Sequence, residues 1–75
     1  MPRFFFDVHD GSSSIDDDGT ELPDEAAARR AAAELAGRML ADEADKFWDG
    51  DKWCVDVRDE RGGKLFGLTF MATGP

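Results

Sequence analysis

The sequence predicts an α+β fold in which one long helix packs on one face of a small, mainly antiparallel sheet of three to four strands. Two observations and one packing argument support this prediction. An alanine-rich run at residues 24–46 has the length and composition of a helix. Three shorter stretches alternate large apolar residues with other residues, and the last two of them flank a glycine-containing turn. A single helix and a few strands bury their apolar sides most simply as two layers.

The first predicted strand covers residues 3–9. Its side chains alternate between two faces, and the face expected in the core carries Phe4, Phe6 and Val8. Phe5 points to the other face, where water, a loop or a partner must cover it. A glycine- and serine-rich turn follows at residues 9–14.

A second turn is predicted at Asp18 and Gly19, with a short strand on either side that pairs with the first strand. The extended segment ends at Leu22, because a residue before proline avoids helical backbone angles. Asp24 follows Pro23 as the expected helix N-cap.

The helix is expected to run from residue 24 to residue 46 with two different sides. At 100° per residue, the core stripe contains Ala28, Ala31, Ala32, Leu35 and Met39. The opposite side carries Ala26, Ala33, Gly37, Leu40 and Ala44. Small residues on the core side suit a sheet rich in aromatic residues, because small groups opposite large ones fill space.

A loop is predicted at residues 47–52, with one or both of Phe47 and Trp48 folding back over the end of the core. The last two strands cover residues 53–59 and 64–71. A four-residue loop between them places all the large apolar residues of both strands on the core face. A three-residue loop would shift the register by one residue and turn one apolar set outward. We therefore expect the four-residue loop, which pairs residue 59 with residue 64.

Composition limits the classes of function. The chain has 75 residues, a formal net charge of −8 and a pI near 4.3, so we expect one domain spanning residues 1–75. The negative field repels phosphate backbones and anionic lipids, which argues against binding to nucleic acid or to a membrane surface. The single cysteine, the lack of an apolar signal region and the lack of a membrane-spanning run indicate a cytoplasmic setting.

The acidic segment before the helix offers a candidate metal site. Five residues fall at calcium-loop positions one, three, five, six and twelve, namely Ser14, Asp16, Asp18, Gly19 and Glu25. Serine at position one and Pro23 within the loop depart from the pattern. A solvated turn leading into a helix cap accounts for the same residues, and a weak metal- or ligand-responsive domain using Asp16–Gly19 is the alternative functional hypothesis.

The other reactive residue types do not assemble into a site by sequence alone. His9 is the one histidine, so a multi-histidine metal site within one chain is excluded. Neighbouring carboxylates could make His9 a general base, but no set of nucleophile, base and orienting group has a recognisable spacing. Cys54 lies within a strand, and this position indicates a structural role with an unreactive thiol. No catalytic residue, metal site or cofactor is predicted.

The leading hypothesis is a non-enzymatic protein-interaction module. The sheet face that the helix leaves uncovered is expected to carry Phe5, Cys54, Leu65 and Met71. An antiparallel sheet usually lines a solvent face with polar residues, so an apolar patch there indicates a protein partner or a homodimer. The competing interpretation is that these residues are scattered singly.

Three motifs in order resemble a known family. They are residues 4–11, residues 18–24 followed by the alanine- and arginine-rich helix, and residues 57–60 with Gly62. The chain resembles a small uncharacterised domain family found mostly in rhizobia and related alphaproteobacteria. The segment 54–56 departs from the family pattern, in which simpler aliphatic or small residues are usual. The resemblance implies a free-standing bacterial domain and assigns no activity and no catalytic residue.

Overall fold

Two antiparallel strands, β1 (Arg3–His9) and β4 (Trp53–Arg58), form the centre of the sheet. The computed structural model describes residues 1–49 and 52–74. It contains a five-stranded antiparallel sheet, one long helix and one short helix, which confirms the predicted α+β class. The remaining elements are β2 (Ser13–Ser14), β3 (Thr20–Glu21), α1 (Glu25–Asp42), α2 (Ala44–Asp49) and β5 (Lys64–Phe70).

The sheet has one strand more than the predicted three to four because its outer strand beside β1 is interrupted. β2 pairs with one end of β1, with Ser14 opposite Val8, and β3 pairs with the other end, with Thr20 opposite Phe4. Residues 15–19 lie between these two short strands. The prediction of a short strand after the Asp18–Gly19 turn is confirmed by β3. The strand expected just before this turn is wrong, because residues 15–17 are not in a strand and β2 lies in the stretch expected to be a turn. The strand order is β2–β1–β4–β5.

Helix α1 begins where the sequence predicts. Asp24 is the N-cap, and its side chain accepts a hydrogen bond from the Ala27 amide at 2.9 Å. Glu25 adds negative charge to the first turn, where the helix dipole favours it.

The predicted helix end at residue 46 is wrong, because α1 ends at Asp42. Glu43 leaves helical geometry with φ −128° and ψ 41°, and the chain then forms α2. The prediction of a loop at residues 47–52 is wrong for residues 47–49, which are helical; residues 50 and 51 lie outside the described part of the chain. The break lets Phe47 pack against Trp53 at 5.3 Å between ring centroids. Phe47 is buried while Trp48 is 69% exposed, so one of the two predicted aromatics covers the core.

The core lies between α1 and one face of the sheet. Ala28, Ala32 and Ala36 are buried on the helix side, and Phe4, Trp53, Val55 and Val57 are buried on the sheet side. Short alanine side chains let the helix backbone approach the larger sheet residues without leaving voids. The predicted stripe is confirmed for Ala28 and Ala32, which are buried, and for Leu35 and Met39, which are partly buried against the core. Ala31 is half-buried outside this cluster, and the prediction omitted Ala36.

The β4–β5 hairpin combines both loop lengths considered above. At the turn, the Asp59 amide donates to the Gly63 carbonyl and the Gly62 amide donates to the Asp59 carbonyl, so the loop has three residues. Gly62 has φ +86°, which this turn requires. The register then shifts between Val57 and Arg58, and Leu65 is the extra residue in β5.

The bulge gives the core the register that the four-residue loop predicts. Val57 pairs with Phe66, Val55 with Leu68 and Trp53 with Phe70. The expected pairing of residue 59 with residue 64 is wrong, because Lys64 pairs with Arg58. The apolar pattern thus determined the core register, and the turn chemistry independently determined the loop.

Candidate functional site

The candidate site is the sheet face opposite α1, which we call the uncovered face. Across β1 and β4 it contains three pairs of opposed residues: Phe5 with Arg58, Asp7 with Asp56, and His9 with Cys54. It is therefore mostly polar. The sequence predicted an apolar surface here, and the position of β1 beside β4 shows instead that charged residues separate the apolar ones.

Asp7 and Arg58 form a two-point ion pair on this face. The Arg58 Nε atom donates to Asp7 Oδ2 at 2.6 Å, and Nη2 donates to Asp7 Oδ1 at 3.2 Å. Nη2 also donates to the carbonyl oxygen of Asp16 at 2.8 Å. Asp7 is 6% exposed, and a buried carboxylate requires such partners because burial disfavours an unpaired charge.

The hydrogen bonds from Arg58 hold the pKa of the Asp7 carboxyl below its ordinary value. Burial acts in the opposite direction, and the hydrogen bond from the Asp16 amide to Asp7 Oδ1, at 3.0 Å, lowers the pKa further. Asp7 is therefore charged at neutral pH and joins β1, β4 and residues 15–19.

Asp16 replaces the missing strand pairing beside β1. Its Oδ2 atom accepts from the Phe6 amide at 3.1 Å, and its Oδ1 atom accepts from the amides of Asp18 and Gly19. Burial raises the pKa of the Asp16 carboxyl, but the three backbone hydrogen bonds together outweigh burial and the net pKa is lowered. We call Asp7, Asp16 and Arg58 the Asp7 network.

The Asp7 network bears on the calcium hypothesis. Both carboxylate oxygens of Asp16 already accept backbone hydrogen bonds, whereas a calcium ligand must present a free lone pair to the ion. Asp24, beyond the turn, caps the helix. These contacts support the alternative interpretation, in which the acidic segment is a turn that leads into a helix cap.

Two groups cover the Phe5 side chain: the guanidinium of Arg58 and the turn at Gly19. The guanidinium carbon of Arg58 lies 4.9 Å from the centre of the Phe5 ring. A Cβ atom added at Gly19 would lie 2.8 Å from Phe5 Cε2 and 2.8 Å from Arg3 Cγ. Gly19 has φ +74°, so both its backbone angle and this close contact require glycine.

Next to the Asp7 network, the uncovered face brings together three metal-ligating residue types, which we call the His9 cluster. One imidazole nitrogen of His9, the Cys54 sulfur and a carboxylate oxygen of Asp56 all lie within 4.8 Å of one another. His9 Nε2 is 3.4 Å from Asp56 Oδ2. His9 Nδ1 is 2.9 Å from the hydroxyl oxygen of Ser13 in β2. All three residues are half-buried.

The His9 cluster does not have the arrangement of a catalytic relay. In a relay, the nucleophile and the orienting carboxylate contact opposite nitrogens of the imidazole, so the ring separates them. Here the Cys54 sulfur and the Asp56 carboxylate lie within 4.8 Å of each other. The three groups converge on one point.

The four residues predicted to bind a partner do not form one patch. Phe5 lies on β1 and is half-buried, and Cys54 lies on β4 within the His9 cluster. Leu65 is at the bulge in β5 and is 37% exposed, while Met71 follows the other end of β5 and is 64% exposed. Arg58 and Lys64 pair with each other between Phe5 and the outer edge of the sheet.

Sequence reasoning missed the Asp7 network and the His9 cluster because it left the strand order open. Asp7, His9, Cys54, Asp56 and Arg58 all belonged to outward-facing sets in the predicted strands. Opposed charges in two such sets, Asp7 in one and Arg58 in the other, are a signal that those strands are neighbours.

Comparison with known proteins identifies a family. No helix in the described residues is both long and apolar enough to cross a membrane. Searches of curated proteins and of solved structures return no match. One family model matches residues 3–71, which include the seven helices and strands of the described residues and both polar clusters. The chain belongs to the family described as domain of unknown function DUF6894.

Proposed function

We propose that this chain is a non-enzymatic protein-interaction domain that associates through the outer edge of β5, with a second copy of itself as the partner. The observation that carries the proposal is the edge itself. Within residues 1–49 and 52–74, no strand pairs with the outer side of β5. β5 has seven residues, of which Lys64 alone is charged. A long edge with few charges and no proline is a template for another strand.

The side chains of β5 support the same proposal. The core-facing residues of β4 are buried, whereas their neighbours Phe66, Leu68 and Phe70 on β5 pack against the core but are only half-buried. Leu65 and Met71 are exposed beside them. An added strand would satisfy the free backbone groups of β5 and remove part of this apolar surface from water.

A second copy fits the charge distribution along β5. Gly67 is the middle residue of the strand, so two antiparallel copies centred there place Lys64 of one copy beside Phe70 of the other. The two lysines are then about 20 Å apart at ~3.4 Å per residue. The net charge of −8 on each copy opposes association, so added salt should strengthen the dimer by screening this repulsion.

The non-enzymatic part of the proposal rests on the His9 cluster. Its three groups converge on one point instead of forming a relay of nucleophile, base and orienting carboxylate.

Light scattering coupled to size exclusion tests the proposed dimer. We expect a concentration-dependent dimer that Leu65→Lys and Met71→Lys each weaken, because edge lysines resist strand pairing. Ile15→Lys is the matched control: Ile15 is 54% exposed and lies outside β5. Phe5 is unsuitable for this test because it packs under Arg58. A monomer at millimolar concentration and high salt, or a control variant that weakens the dimer equally, would contradict the proposal.

A further inference from the structure

We infer that His9, Cys54 and Asp56 form a binding site for a divalent transition-metal ion of the Zn²⁺ class. This inference is independent of the proposed dimer. It starts from strand pairing: His9 on β1 is directly opposite Cys54 on β4, and Asp56 lies two residues farther along β4 on the same face. The sheet therefore fixes the backbone positions of all three residues before any ion arrives.

The donor set suits Zn²⁺. Imidazole nitrogen, thiolate sulfur and carboxylate oxygen are its usual ligands, with bond lengths of about 2.0–2.3 Å. Tetrahedral coordination at those lengths places donor atoms about 3.3–3.8 Å apart. In the structure the three atoms lie within 4.8 Å of one another. Side-chain rotations that move these atoms by about an ångström would bring them to the separations that one tetrahedral ion requires.

The contact with Ser13 is compatible with a metal-binding tautomer of His9. Nδ1 is 2.9 Å from the Ser13 hydroxyl, and a proton on Nδ1 can be donated to that oxygen. The lone pair then resides on Nε2, the nitrogen that faces Asp56. Metal-binding histidines generally donate their second nitrogen to such a partner, which fixes the ring.

Charge also favours a cation here. A thiolate, a carboxylate and a neutral imidazole balance the two positive charges of the ion, and the net charge of −8 attracts cations to the surface. The three residues are half-buried, so an ion can reach them from the solvent side.

Lys64 is the opposing group. Its Nζ atom lies 3.1 Å from Asp56 Oδ1, and its side chain is 65% exposed. It competes with an ion for Asp56 but can turn into solvent. Lys64→Ala should therefore tighten metal binding by about 3–10-fold, since an exposed charge at this range contributes roughly 1 kcal/mol.

Titration of the untagged, reduced chain with Co²⁺, followed by displacement with Zn²⁺, tests the site. We expect a thiolate-to-cobalt charge-transfer band that saturates at one equivalent, and Zn²⁺ should abolish it. Because the chain has one cysteine, the band reports Cys54 in the wild-type protein without any variant that could misfold.

Variants then assign the other ligands. Cys54→Ser should remove the band. His9→Gln and Asp56→Asn should each weaken binding by at least tenfold, and Ser13→Ala by about tenfold. Asp17→Asn is the control, because Asp17 is an exposed carboxylate outside the cluster.

Three results would overturn the inference. One is the absence of a charge-transfer band. The second is saturation at half an equivalent, which would mean that two chains share the ion. The third is equal weakening by Asp17→Asn and Asp56→Asn, which would mean that Co²⁺ responds to surface charge alone.

Discussion

The Asp7 network and the His9 cluster lie on the same face of the same two strands, but their polar atoms are used differently. In the Asp7 network, the carboxylates of Asp7 and Asp16 accept hydrogen bonds from Arg58 and from backbone amides. In the His9 cluster, the three possible ligand atoms lie within 4.8 Å of one another, and their outside partners Ser13 and Lys64 are exposed. The first arrangement stabilises the fold, and the second leaves coordination capacity for a ligand.

This difference follows from burial. Asp7 is 6% exposed, and its charge is retained because Arg58 and the Asp16 amide satisfy it. The side chains of His9 and Asp56 are 34% and 27% exposed, so water can satisfy them in the free protein. A ligand can displace water but cannot easily displace a buried ion pair.

The largest predicted effect is on the Asp7 network. Asp7→Ala should lower the free energy of unfolding by about 2–3 kcal/mol, because it leaves Arg58 and the Asp16 amide without their acceptor. Urea unfolding monitored by tryptophan fluorescence measures the change. Asp17→Ala, an exposed control, should stay within about 0.5 kcal/mol of wild type. Equal effects of the two substitutions would show that the Asp7 network is not structural.

The turn that covers Phe5 should be the next most sensitive position. Gly19→Ala should cost about 2 kcal/mol, because an alanine at φ +74° is strained and its Cβ collides with Arg3 and Phe5. Gly62→Ala, at φ +86° with no atom within 4 Å of the added Cβ, should cost about 1 kcal/mol. Thermal unfolding measures the stability loss in each variant. Backbone strain is present in both variants, so the additional loss in Gly19→Ala reports the steric collision. A larger loss at Gly62 would contradict the packing described around Phe5.

Acid should weaken the Asp7 network in a definite direction. The folded-state pKa values of Asp7 and Asp16 are lowered from 3.8, so the unfolded chain binds protons first as the pH falls. The stability they contribute is complete above the unfolded-state pKa and is lost as the pH falls through the folded-state pKa.

The free-energy difference between wild type and Asp7→Asn isolates this effect from the relief of surface repulsion. It should be constant from pH 7 to about pH 5 and shrink below pH 4. Urea titrations at each pH measure it. A difference that grows on acidification would contradict the assignment.

The smallest effect is expected at the His9 cluster. Without metal, Asp56→Ala should change the free energy of unfolding by about 0–1 kcal/mol, because its partners His9 and Lys64 are partly exposed. Urea unfolding in the presence of a chelator measures it. A loss as large as that of Asp7→Ala would assign a structural role to the His9 cluster.

The elements that local chemistry determines were predictable. The N-cap at Asp24, the alanine stripe on α1 and the core register of β4 with β5 all follow from spacing within one segment or one hairpin. The helix end at Asp42 was not predictable in the same way. Residues 43–46 favour a helix locally, but the packing of Phe47 against Trp53 and Phe70 requires the chain to turn.

Neither polar cluster could be assembled from the sequence alone. Asp7 and Arg58 are 51 residues apart, and their contact requires β1 to lie beside β4 in one register. The position of Asp16 depends in addition on the interruption between β2 and β3, which no repeating pattern encodes. The same reason explains why the residues expected to form one apolar patch do not lie together. The sequence did not show which strand lies beside Phe5.

Unfolding with and without Zn²⁺ tests most directly whether the two clusters have separate roles. Wild type, Asp7→Asn and Asp56→Asn are compared by urea denaturation in chelator and in excess Zn²⁺. Ligand binding to the folded state should raise wild-type stability. Asp7→Asn should lower stability in both conditions and keep the Zn²⁺ increment, while Asp56→Asn should leave stability in chelator nearly unchanged and lose the increment. Loss of the increment in Asp7→Asn with its retention in Asp56→Asn would contradict the account.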